Sequence, residues 1–219
     1  MVRLRQQGSG KPYRGQTVGA SVVENRPSHT VIFKRLVESF SREQRVDVID
    51  LARVIEQNIE FLTQYNMRLH YPDFTHLLNE MRQQQNAETE QESTEISLPP
   101  LFSGLTSADC ALAWDLVQYL SPPEVTELSR KLSDSIRRGG LVYLVNSTHA
   151  RISREPMFCT VQDDAHILFK GCQAEEKSSP GYSQREVLEL MPGFQLMHAT
   201  LLQNGLQEEG LVRNSWKVQ

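Results

Sequence analysis

Two spacings of apolar residues alternate along this chain. Ile32, Phe33, Leu36, Val37 and Phe40 recur at helical intervals, with Ser28 or Thr30 placed to cap the helix. Val46 to Leu51 reads as a strand. Ile55, Ile59 and Leu62 return to helical spacing, with Phe61 and Tyr65 beside them, and Met67 to Tyr71 is a second short strand. Strand, crossover helix and strand predict a parallel pair with a right-handed connection. A helical piece from Phe74 to Arg82 runs into residues 83–97, which are rich in Gln and Glu and almost free of apolar residues. Such a stretch cannot drive burial and reads as a solvated loop. Pro99 and Pro100 confine any strand over 98–102 to a sheet edge.

The second half is more regular. Cys110 to Trp114 is a continuous apolar run, as expected of a strand covered on both faces. Ser121-Pro122-Pro123-Glu124 is a strong helix start, followed by a stripe of Val125, Leu128, Leu132 and Ile136. Arg137 and Arg138 suit the C-terminal dipole of that helix, and Gly139-Gly140 end it. Leu141 to Val145 is the next buried strand. His166 to Lys170 is a short strand on an excursion that runs from Arg151 to Gly181. Ser183 caps a helix carrying Val187, Leu188 and Met191, stopped by Pro192-Gly193. Phe194 to Leu202 and Gly210 to Val218 flank Asn204-Gly205 as an antiparallel hairpin with a loop longer than two residues.

Composition narrows the class. A chain of 219 residues suits one α/β domain with a tail. Residues 1–27 form a basic, turn-rich arm without helical periodicity, and 28–219 form the domain. The charge of −4 argues against bulk nucleic-acid binding, leaving only the arm as a weak candidate for it. Cys110, Cys159 and Cys172 include no C-x-x-C pair, which reads as a reduced, cytoplasmic protein without disulfides. No apolar run reaches the roughly 20 residues of a membrane span. None of the six histidines has metal-ligand spacing, so no metal site is expected. His149 alone is placed to face a cleft at the strand ends.

With these elements in order, residues 45–213 resemble a class I S-adenosylmethionine-dependent methyltransferase. Ala108 to Leu120 looks like the family's fourth strand and following turn. Ile136 to Tyr143 looks like its helix end, Gly-Gly turn and fifth strand, and Tyr182 onward like its last helix and terminal hairpin. The resemblance implies a three-layer α/β/α Rossmann-like sheet, mostly parallel, with a C-terminal antiparallel hairpin. It also implies positions that would hold the cofactor: Asp50 and Ala52 after the first strand, Asp73 after the second, and Trp114 and Asp115 after the fourth.

The first half departs from the family in chemistry. The 84 residues from Ala20 to Ser103 contain no glycine, where even scatter of the chain's 12 would put about four or five. The family's first strand ends in an acidic residue and a Gly-x-Gly-type turn, because a Cβ would collide with the ligand. Here Ala52 stands for the first glycine and Val54 or Ile55 for a later one, both β-branched, with Arg53 and Glu56 adding bulk and charge. Each candidate also has a plain structural reading. Asp50 could pair with Arg53 or Arg45, Asp73 could be a turn residue or helix cap, and Trp114 could be core. The sequence offers no catalytic dyad.

Two functions follow. One is a methyltransferase-like protein that has lost S-adenosylmethionine, holds no cofactor, and acts through a protein partner as an interaction or accessory subunit. The alternative is an active, divergent methyltransferase using S-adenosylmethionine, with catalysis by positioning and an acceptor the residues do not name.

Overall fold

The computed structural model describes residues 26–40, 43–87, 98, 105–171 and 175–214. The basic arm up to residue 25, most of the Gln/Glu-rich stretch, Cys172 and the possible edge strand after Leu98 lie outside the described residues.

The elements follow in chain order: β1 (Ser28–His29), α1 (Ile32–Glu38), β2 (Val46–Asp50), α2 (Glu56–Leu62), β3 (Met67–His70), α3 (Phe74–Ala87) and β4 (Ala108–Trp114). After a 3-10 turn (Leu116–Tyr119) come α4 (Pro122–Ser135), β5 (Ile136–Ser147), β6 (Arg151–Ser153), β7 (Phe158–Asp163), β8 (His166–Lys170), β9 (Glu176–Ser178), α5 (Gln184–Leu190), β10 (Phe194–Leu201) and β11 (Leu206–Arg213). The main sheet runs β10-β11-β5-β4-β2-β3. Strands β3, β2, β4 and β5 are parallel; β11 is antiparallel to both β5 and β10.

The period-2 alternation of strands builds the layers. Along β4, Ala111 and Ala113 face a core shared with α3, α4 and α5, through Phe74, Leu128, Leu132 and Val187. Cys110, Leu112 and Trp114 face the other core, with Phe33 and Leu36 of α1, Leu62 of α2, and Cys159 and Ile167 of the excursion. This is the expected three-layer α/β/α arrangement. Among the described residues no helix is long and apolar enough to cross a membrane.

Four boundaries differ from the sequence reading, each for a tertiary reason. Ser28 and Thr30 do not cap α1. Ser28–His29 pairs with β8, and the Thr30 hydroxyl donates to the Ala165 carbonyl. The N-terminus of α1 is capped instead by the buried Glu208 carboxylate, which accepts from the backbone N–H groups of Val31 (2.9 Å), Ile32 (3.3 Å) and Phe33 (3.4 Å). Helix α4 ends at Ser135, before Arg137. Ile136 is fully buried and already extended, pairing with Ala108. The pairing then jumps to Cys110 and Leu141, so Arg137 to Gly140 bulge out of register. Gly139 takes a φ of +74°, and a Cβ on Gly140 would come within 2.8 Å of the Asp109 carbonyl. Arg137 bonds Asp109 rather than the helix end. Helix α3 continues to Ala87, five residues into the stretch read as loop. The hairpin closes over residues 202–205, and β11 begins at Leu206 rather than Gly210.

Candidate functional site

In open α/β sheets ligands bind beyond the carboxyl ends of the parallel strands. Those ends are Asp50, His70, Trp114 and Ser147 here. Each predicted residue can be placed against them.

Asp50 is 1% exposed. Its Oδ1 accepts from the Trp114 indole N–H at 2.8 Å and from the Ala52 backbone N–H at 3.0 Å. It pairs with neither Arg53 nor Arg45. Burial pushes its carboxyl up to about 6, against the pull of those two donors and of the nearby Tyr71 hydroxyl. Its Oδ2 has no hydrogen-bond partner, and neither has the buried Tyr71 hydroxyl. The two groups nonetheless bear on each other, because burial and the Asp50 charge both push the Tyr71 phenol up.

Trp114 is 1% exposed, with its ring against Phe33 and Tyr143 at 6.0 and 5.6 Å between centroids. It takes a φ of +49°, an unusual conformation for a bulky residue, and so turns the chain sharply at the end of β4. Asp115 is buried directly after it. Its Oδ2 accepts from the Met157 backbone N–H at 2.8 Å, and burial pushes its carboxyl up to about 7. Asp73 caps α3, with Oδ1 accepting from the His76 N–H at 3.3 Å and a φ of +45°. The strand ends thus bring Asp50, Ala52 and Trp114 into one hydrogen-bonded cluster, whereas Asp115 and Asp73 serve separate segments.

The turn between β2 and α2 is held by the excursion, a feature the sequence did not signal. Arg53 pairs with Glu155, and its guanidinium lies over the Phe158 ring at 5.2 Å. Asn58, 1% exposed, donates to the Cys159 carbonyl and accepts from the Val161 N–H, both at 2.8 Å. Gln57 donates to the Val161 carbonyl at 3.0 Å. Strand β7 therefore lies across the first turn of α2.

A cavity of about 60 Å³ opens at the ends of β4 and β5, lined by Asp115, Gln118, Ser147, His149, Met157 and Leu206 among others. His149 faces it as the sequence suggested, and its Nε2 lies 3.0 Å from the Asn204 carbonyl. Cys110 and Cys159 are free and buried, and burial pushes both thiols up, away from nucleophilic use. Among the described residues no group of His, Cys, Asp and Glu could hold a metal.

No family model matches the chain, and no curated protein matches it. Solved structures do. One is an S-adenosylmethionine-dependent methyltransferase from Clostridium acetobutylicum, with a TM-score of 0.52 and 11% identity over 84% of this chain and 89% of that one. Another is an S-adenosylmethionine-dependent methyltransferase from Mesorhizobium loti, with a TM-score of 0.52 and 10% identity over 83% and 96%. Likeness at this identity is a likeness of fold: the chain has the fold of class I S-adenosylmethionine-dependent methyltransferases.

Proposed function

We propose that this protein keeps the methyltransferase fold without its cofactor chemistry, and works as an interaction or accessory subunit. The carrying observation is the Trp114–Asp50 hydrogen bond. The acidic residue that the family places beside the cofactor is sealed in the core, with one oxygen already taken by an indole and a backbone N–H.

Three further features support the same reading. The turn that should admit the cofactor carries Ala52, Arg53 and Val54 and is tied to the excursion. Asp115 is engaged with Met157. The cavity at the ends of β4 and β5 is lined by Asp115 but by none of Asp50, Ala52, Asp73 and Trp114. On this reading these residues no longer hold S-adenosylmethionine. The fold can persist without it, since packing needs only the apolar pattern.

One observation favours the alternative, an active methyltransferase. Asp50 Oδ2 and the Tyr71 hydroxyl are buried and bear on each other without a well-aligned hydrogen bond, and a ligand between them could satisfy both. Calorimetric titration of S-adenosylmethionine into the full chain separates the two readings. No heat of binding is expected up to about 1 mM; a micromolar dissociation constant would install the active reading instead. An Ala52→Gly variant belongs in the same experiment. Binding by that variant alone would assign the loss to the turn and leave the rest of the pocket intact.

A further inference from the structure

We propose that the cavity at the ends of β4 and β5 binds a small protonated amine, with the ammonium group received by Asp115 and Gln118. The residues matched to the cofactor do not line it, so the site stands whichever reading of the cofactor holds.

Three segments build the cavity. The turn after β4 supplies Asp115 and Gln118, the end of β5 supplies Ser147 and His149, and the excursion supplies apolar walls at Met157 and Phe169. Asp115 is 2% exposed and Gln118 4%. Polar side chains buried this deeply are costly unless something satisfies them. The hairpin sets His149 in place. Its Nε2 lies 3.0 Å from the Asn204 carbonyl and so carries a proton, which leaves Nδ1 of the neutral ring as an acceptor. Gly205 makes room for that ring. Its φ is +76°, and a Cβ there would stand 2.7 Å from Nε2.

The polar capacity left over is that of acceptors. A carboxylate accepts about four bonds, and Asp115 receives two, from the Met157 N–H and from its own backbone N–H. Gln118 Nε2 donates to the Val145 carbonyl at 3.3 Å, and its amide oxygen has no partner among the described residues. The donors nearby are engaged elsewhere. Arg151 pairs with Glu176 at 2.9 Å, and the Tyr119 hydroxyl donates to the Ser153 and Glu155 carbonyls. Lys177 donates to the Gln118 carbonyl and lies over the Tyr119 ring, and Arg53 pairs with Glu155. Burial holds the Asp115 carboxyl up at about 7 against the pull of Arg53 and Lys177, so those two cations do not offset its burial.

Acceptors beside a buried, unmatched carboxylate call for a ligand that brings several N–H donors and a positive charge. An ammonium group brings both, and the apolar walls take the carbons behind it. A cavity of about 60 Å³ admits a short amine rather than a large one.

The test titrates n-propylammonium into the full chain, with n-propanol as its uncharged counterpart. The Met157 methyl resonance should shift saturably with the amine, at a dissociation constant of about 1 mM for so small a ligand. The alcohol should bind about tenfold more weakly or worse. Asp115→Asn keeps an acceptor for the Met157 N–H but loses the charge. It should weaken the amine by about tenfold and leave the alcohol unchanged. The comparison of amine with alcohol needs no variant, so it decides the matter if Asp115→Asn fails to fold. No saturable shift up to about 20 mM, equal binding of amine and alcohol, or full binding by Asp115→Asn overturns the proposal. The amine is titrated without S-adenosylmethionine, so this outcome and that of the cofactor titration are read separately.

Discussion

Glu208 and Asp50 are both buried carboxylates facing the same core, and the chain uses them in opposite ways. Glu208, on the hairpin side of the sheet, accepts from three backbone N–H groups of α1 and from the Tyr143 hydroxyl at 3.0 Å. It is a structural acceptor that closes a helix N-terminus. Asp50, at the end of β2, accepts from two donors and leaves one oxygen unpartnered. A buried carboxylate kept half satisfied is costly. The hairpin half of the fold uses its acid to hold a helix; the acid at the end of β2 contributes less to the structure around it.

Removing Glu208 is therefore the largest expected perturbation. Glu208→Ala strips partners from three buried or half-buried N–H groups and one buried hydroxyl. A loss of roughly 4 kcal/mol is expected, lowering the melting temperature by about 8–16 °C for a chain of this size. The readout is thermal unfolding followed by far-ultraviolet dichroism. A fall of under about 2 °C would mean that water replaces the carboxylate, and the contrast with Asp50 would collapse.

Asp115 tests the contrast through pH. Its folded carboxyl stands at about 7, above the ordinary 3.8, because burial disfavours the charge. The folded state thus holds the proton more tightly than the unfolded one. The stability it confers is full below about pH 4 and is lost as pH rises through 7. Asp115→Asn retains an acceptor for the Met157 N–H and has no proton to lose. Its stability should fall less between pH 4 and 8 than that of the parent, by up to about 3 kcal/mol. Urea midpoints at the two pH values check this, and parallel curves for parent and variant would mean that Asp115 stays solvated.

The regions most legible in the sequence were those whose signals are local. The buried run of β4 and the Ser121–Glu124 and Ser183–Glu186 capping boxes stand where neighbouring residues placed them, and the hairpin turns at Asn204-Gly205 although its second strand starts earlier than its apolar pattern suggests. The cap of α1 was illegible because its acceptor lies 177 residues from Val31, inside a strand whose apolar pattern it interrupts. The same holds for the turn after β2. Its missing glycines were visible, but Asn58 finds its partners 101 and 103 residues away, across the excursion. Helix α4 was read too long because Ile136 continues its apolar stripe; the pairing with Ala108, which no local spacing records, takes that residue into the sheet.

Asp50 offers the smallest and most direct test of what the site has become. Its folded carboxyl lies at about 6, above 3.8, so its contribution also declines as pH rises through 6, and above that the ionised form is retained at a cost. Asp50→Asn keeps a carbonyl oxygen for the Trp114 and Ala52 donors and gains an N–H that the Tyr71 hydroxyl can accept. If the acid has no ligand to serve, the variant should be more stable than the parent at pH 8, by about 1–2 kcal/mol, and equal to it near pH 4. Such a gain would show that the charge at the end of β2 does not hold the fold together as Glu208 does. A variant less stable at pH 8 would show that the carboxylate is as structural as Glu208, and that the end of β2 has been converted wholly to scaffold.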